Sequence, residues 1–240
     1  MRLFFIRHAQ SSNNALVTET GSSHGRSEDP ELTELGEEQA QRLAAFLRNG
    51  DPTGGLDCKG TSGKGFGITH IYTSLMVRAV ATGLVIAKAL GLPYVGWEEL
   101  HEEGGIYLDD AESGKPVGLA GKNRSYFEKN YPDFVIPKTL GEEGWWNHRP
   151  FEPVEERMLR AQKFLGQLLE RHGDTEDQVA VISHGGFYVN FMIALLSLPK
   201  QNGFWLTMYN TGISRIDFLE SGPNLVYQNR IDFLPADMVT

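Results

Sequence analysis

Two short apolar runs, each stopping at a histidine, constrain this chain more than any other feature. Leu3-Phe4-Phe5-Ile6 leads into Arg7-His8-Ala9-Gln10, and Val179-Ala180-Val181-Ile182 leads into Ser183-His184-Gly185-Gly186. Runs this short, apolar at every position, read as strands of a parallel sheet buried on both faces. In open α/β sheets ligands bind beyond the carboxyl ends of the strands, so both histidines are expected in that crevice.

The remaining pattern supplies helices to cover such a sheet. Thr33 is placed to cap a helix with Ala40, Leu43, Ala44 and Leu47 on its inner face, ended by Asn49-Gly50-Asp51-Pro52. Residues 68–73 read as a strand, and Ser74 as the cap of a mostly apolar helix reaching Leu90. Residues 94–97 read as an edge strand. Met158, Ala161, Leu165, Leu168 and Leu169 recur at helical spacing within 154–172, and 185–198 is apolar almost all round. Residues 212–219 and 225–234 read as a closing hairpin across Ser221-Gly222-Pro223-Asn224. The expected fold is therefore α/β: one domain over 1–240, with a mostly parallel central sheet and helices on both faces.

Three stretches fit this scheme less well. Residues 13–30 are polar and read as a loop over the crevice, since long unstructured loops are commonly functional. Insertions are expected at about 51–67 and 104–150. The first contains Gly60-Thr61-Ser62-Gly63-Lys64-Gly65, which lacks the full phosphate-loop spacing and reads as a flexible insertion. The second is rich in Gly and Pro, with a short helix expected near 125–130.

Composition narrows the partners. Against 22 Lys and Arg stand 31 Asp and Glu, a formal charge of −9, which disfavours a nucleic-acid backbone as ligand. A single cysteine, Cys58, allows no intrachain disulfide. The run 3–6 is too short for a signal peptide, and the longest apolar stretch, 187–198, is too short to cross a bilayer. A cytoplasmic protein without membrane or nucleic-acid partners is expected. No sequence signal fixes its oligomeric state.

Arg7-His8-Ala9-Gln10-Ser11, with Asn14 seven residues after Arg7, resembles the Arg-His-Gly-Glu-(Ser/Thr)-x-x-Asn signature of the histidine phosphatase, or phosphoglycerate-mutase-like, superfamily. Ser74-Leu75-Met76-Val77-Arg78 is similar to that family's second motif, Leu100-His101-Glu102 to its third and Ser183-His184-Gly185 to its fourth. Leu32-Thr33-Glu34-Leu35-Gly36 with Gln39-Ala40 adds a non-catalytic match.

The resemblance implies a nucleophile, His8, and a general acid, Glu102. It implies a phosphate-binding set of Arg7, Asn14, Arg78 and His184. The chemistry suits those residue types. A neutral imidazole can form a phosphohistidine, and guanidinium forks match phosphate oxygens. Gly185-Gly186 would open a helix whose N–H groups favour an anion. A small phosphorylated substrate is implied, with no metal or other cofactor.

Ala9 and Gln10 depart from the signature's glycine and glutamate, and Gln10 removes a negative charge. His24, His70, His101, His148 and His172 match no motif and read as structural or surface, and no His/Cys/Asp/Glu cluster has metal-ligand spacing. A phosphatase is the favoured activity. A phosphoglycerate-type mutase is the first rival, weakened by few arginines in the middle region. A binding module using Trp145 and Trp146 as an exposed anchor is the second.

Overall fold

The computed structural model describes residues 1–50, 65–199 and 205–240. All of the glycine-rich phosphate-loop lookalike except Gly65, and nearly all of the 51–67 insertion, lie outside the described residues. The chain runs through β1 (Arg2–Arg7), α1 (Ser12–Thr20), α2 (Glu34–Asn49), β2 (His70–Thr73), α3 (Val77–Leu90) and β3 (Tyr94–Gly96). It continues with β4 (Tyr107–Asp109), β5 (Pro116–Gly118), α4 (Arg124–Asn130), β6 (Phe134–Val135), α5 (Val154–His172), β7 (Gln178–Ser183), α6 (Gly185–Leu195), β8 (Ile213–Leu219) and β9 (Gly222–Arg230).

Seven strands form the central sheet in the order β6-β3-β2-β7-β1-β8-β9, and β4 and β5 make a separate hairpin. β6, β3, β2, β7 and β1 are parallel, and β8 and β9 extend the sheet antiparallel. Period-two alternation explains the apolar runs. Phe4, Ile6, Ala180 and Ile182 enter a core with α2 and α3. Leu3, Phe5, Val179 and Val181 enter a second core with α5 and α6. Helices therefore cover both faces, as expected.

Several local expectations are corrected. Residues 12–20 are helix rather than loop: Ser11 accepts from the Asn14 backbone N–H, and the Asn14 side chain accepts from the Ser11 N–H, a reciprocal cap. Ser74 does not cap α3. Its Oγ accepts from the Met76 N–H, and the helix begins only at Val77. β3 is not an edge strand, because β6 pairs outside it. α6 ends at Leu195, and β9 occupies 222–230, not 225–234. Trp145 and Trp146 are buried in the first core, which removes the exposed anchor of the binding-module reading.

Candidate active site

β1 and β7 lie side by side in parallel register, with Arg7 opposite Ser183, so the residues that follow them emerge together. The His8 N–H donates to the Ser183 carbonyl at 2.9 Å, and the His8 and His184 rings pack with centroids 5.0 Å apart. Two strand ends thus meet, as the paired sequence runs imply.

His8 is buried, and its tautomer follows from its two partners. Nδ1 faces the Ala9 carbonyl oxygen at 2.7 Å, an acceptor only, so Nδ1 carries the proton. Nε2 receives the Arg78 Nε–H at 3.1 Å, so its lone pair faces the guanidinium. Burial, with Arg78 and Arg7 adding positive charge, holds the His8 pKa well below the ordinary histidine range, against the Ala9 bond. The ring is therefore neutral near neutral pH, with a lone pair on Nε2.

Arg78 reaches this position because a long side chain in a first helical turn leans toward the amino terminus. Its Nη2 meets the Met76 sulfur at 3.1 Å, and its Nη1 lies 3.9 Å from Asp29 Oδ1. Arg7 donates to the Met208 carbonyl at 2.5 Å. Burial lowers the pKa of both arginines. Their charge lies where bulk water does not screen it.

Glu102 is placed by the segment after β3. Arg160 clamps Glu152 through two bonds at 2.6 and 2.7 Å, and its Nη1 donates to the Glu99 and His101 carbonyls. The Ser183 hydroxyl ties Leu100 to the end of β7 at 2.7 Å. Glu102 Oε1 accepts from the Phe187 and Glu103 N–H groups at 2.9 Å, and Oε2 from Gly186 at 3.2 Å. This corrects one expectation: the N–H groups opening α6 are engaged by Glu102 itself. A Cβ at position 186 would lie 2.6 Å from Glu102 Oε1, so a larger residue there would push the Glu102 carboxylate aside.

The neighbouring glutamates have other partners. Glu103 binds Arg157 at 2.8 Å and Asn190 at 2.7 Å, Glu99 binds Lys163 at 2.6 Å, and Glu98 accepts from Thr139.

Arg7, His8, Asn14, Arg78 and Glu102 line one cavity of about 230 Å³. The structure thus brings five of the six expected residues to a common wall. His184 does not line it. It packs against His8, and both its ring nitrogens lack a hydrogen-bond partner among the described residues. Asn14 is committed through Oδ1 to capping α1 and to Asn210, 3.3 Å away. Gln10 points elsewhere: its Oε1 accepts from Thr33 at 2.6 Å, and its N–H donates to Gln39 at 2.8 Å. The lost negative charge is therefore not on the cavity wall.

Three residues escape sequence reading. Asp29 is buried beside Arg78, accepts from the Val77 N–H at 3.0 Å, and has its pKa raised by burial to about 6. Arg26 lines the cavity and stacks over Tyr107 at 4.2 Å. Both lie in the 13–30 stretch, whose general position was legible while its individual contacts were not. Asn210 is buried and donates to the His8 carbonyl at 2.9 Å, fixing the end of β1 from far along the chain.

A family model described as "Histidine phosphatase superfamily (branch 1)" matches residues 3–54 and 59–231. "Putative phosphoserine phosphatase 2" of Hydrogenobacter thermophilus is 28% identical over 237 residues, covering 96% of either chain. "Probable phosphoglycerate mutase GpmB" of Yersinia enterocolitica is 27% identical, covering 92% of this chain and 86% of its own. Among solved structures, phosphoserine phosphatase from Entamoeba histolytica in complex with 3-phosphoglyceric acid superposes with a TM-score of 0.58 at 21% identity. That match covers 98% of this chain and 99% of the other.

Proposed function

The chain belongs to the histidine phosphatase superfamily, and from that premise we propose that it hydrolyses small phosphomonoesters through a phosphohistidine formed on His8. The observation that carries this is the neutral imidazole whose Nε2 lone pair faces Arg78 on the wall of a cavity shared with Arg7 and Glu102. The name of the Hydrogenobacter relative supports hydrolysis, and its alignment spans nearly the whole chain.

In the first step, His8 Nε2 attacks phosphorus and the bond to the ester oxygen breaks. The leaving oxygen takes its proton from the Glu102 carboxyl. Arg78 and Arg7 stabilise the charge that spreads over the equatorial oxygens. In the second step, Glu102 removes a proton from water, the water oxygen attacks phosphorus, and the phosphorus–nitrogen bond breaks. Inorganic phosphate leaves with His8 neutral again. No metal enters either step.

Asn14 and His184 belong to the same proposal as phosphate ligands. Asn14 has its amide nitrogen for an oxygen, and His184 lies next to the nucleophile with both nitrogens unengaged among the described residues. A single domain spanning 1–240 and a cytoplasmic setting complete the reading. The central sheet joins strands from 2 to 230, and among the described residues no helix is long and apolar enough to cross a membrane.

The test is phosphate release from an aryl phosphate in chelator-containing buffer. Wild-type turnover that persists there and vanishes in His8→Ala is expected. Substantial turnover by His8→Ala would remove the nucleophile assignment.

A further inference from the structure

At the opposite end of the sheet from His8 lies a second group of metal-ligating side-chain types, outside the family motifs. His70 opens β2, His172 closes α5, and Asp177 immediately precedes β7. Parallel pairing of β2 with β7 sets His70 opposite Val179, and the short turn after α5 returns His172 beside Asp177. One potential ligand atom from each side chain lies within 4.8 Å of the others. Sequence spacing conceals the cluster, because its first two members, His70 and His172, lie 102 positions apart in the sequence.

We propose that His70, His172 and Asp177 form a binding site for a divalent zinc-like cation, separate from the catalytic cavity. Two imidazoles and one carboxylate make a mixed nitrogen and oxygen donor set, which suits zinc with water in the fourth position. His172 Nδ1 is 2.8 Å from Asp177 Oδ2, and His70 Nδ1 is 3.7 Å from Asp177 Oδ1. Tetrahedral bonds of about 2.0–2.1 Å place donors about 3.3 Å apart, between these two separations. The remaining adjustment falls on His70, whose side chain is 42% exposed and whose Nδ1 exchanges its 2.9 Å bond with the Thr69 hydroxyl for the ion.

The surroundings match what a metal-bound histidine needs. His172 is buried, and its Nε2 meets the Tyr72 hydroxyl at 3.0 Å, an oxygen that accepts from the Nε2–H when Nδ1 binds the ion. The exposed edges of His70 and Asp177 give the ion a path from solvent. The six residues of β7 separate Asp177 from His184, roughly 20 Å, so bound zinc would join β2, β7 and α5 without entering the phosphoryl-transfer site.

The test is calorimetric titration of the apo protein with zinc chloride, together with thermal unfolding with and without zinc. About one equivalent is expected to bind, with a raised and chelator-reversible melting temperature. His8→Ala should leave this binding unchanged, and His70→Ala, at an exposed position, should weaken it at least tenfold while the protein stays folded. Asp177→Asn should do the same. Absence of saturable binding, or binding insensitive to His70→Ala but lost in His8→Ala, would overturn the site. Neither result bears on turnover in chelator, so the catalytic reading is tested independently.

Discussion

At the scale of single residues, the chemistry of the site depends on how buried groups hold their protons. His8 is neutral because burial and two arginines disfavour its cation. Asp29 has no motif to announce it, yet its carboxyl is buried against the Arg78 guanidinium and is raised by burial to about 6. Above that pH it is an anion that holds Arg78 toward His8; below, it is a neutral acid much like asparagine. Asp29→Asn is therefore expected to lower kcat/KM by about tenfold at pH 8, the order of one charge-assisted contact, and to change it little at pH 5. Equal losses at both pH values, measured side by side with the wild type, would make Asp29 merely structural. His8 and Arg78 could be read from sequence because one follows a strand and the other opens a helix, whereas Glu102, in a loop, came only through the resemblance of Leu100-His101-Glu102 to a family motif. Asp29 could not, since its role depends on a loop folding back onto the first turn of α3.

At the scale of elements, the motif 32–40 gains a physical reason. Thr33 caps α2 through the Gly36 N–H and also binds Gln10, and Gln39 holds the Gln10 N–H and the Met238 carbonyl. Gly36 lies against the segment after the nucleophile so closely that a Cβ would sit 2.0 Å from the Gln10 carbonyl oxygen. Neither backbone can yield cheaply. Gly36→Ala should cost about 1–3 kcal/mol of stability by overpacking, read by denaturant unfolding, despite alanine's better helix propensity. A variant as stable as the wild type would show that α2 does not brace the strand end. The same packing explains which elements were legible. α2 and α5 carry a clean apolar face, so periodicity finds them. α1 has no buried residue, and its helix rests on the Ser11–Asn14 cap, so a polar stretch read as loop.

At the scale of the molecule, both faces of the sheet and its mostly parallel order followed from the unbroken apolar strands. The path of 104–150 did not, because its order comes from tertiary contacts such as Trp146 donating to the Arg149 carbonyl at 2.7 Å. Burial of His8, His101 and His184 in neutral form has a global consequence. Each has a folded pKa below its unfolded value near 6.5, so the unfolded chain binds more protons below that pH and stability falls with acidification. Each contributes up to about 1.4 kcal/mol per pH unit below 6.5. Asp29, raised in the fold, opposes this between about 4 and 6, as one group against three. The melting temperature should therefore drop steadily from pH 7 to pH 5, and a flat profile would contradict neutral burial of the histidines. Hydrolysis by the proposed route passes through a phosphohistidine on His8. Rapid mixing with an aryl phosphate, quenching in base and mapping the labelled peptide tests it most directly. An acid-labile phosphoryl group on the peptide carrying His8, absent from His8→Ala, is the result predicted. Label on any other residue, or full turnover with no phosphoenzyme formed at a competent rate, would contradict it.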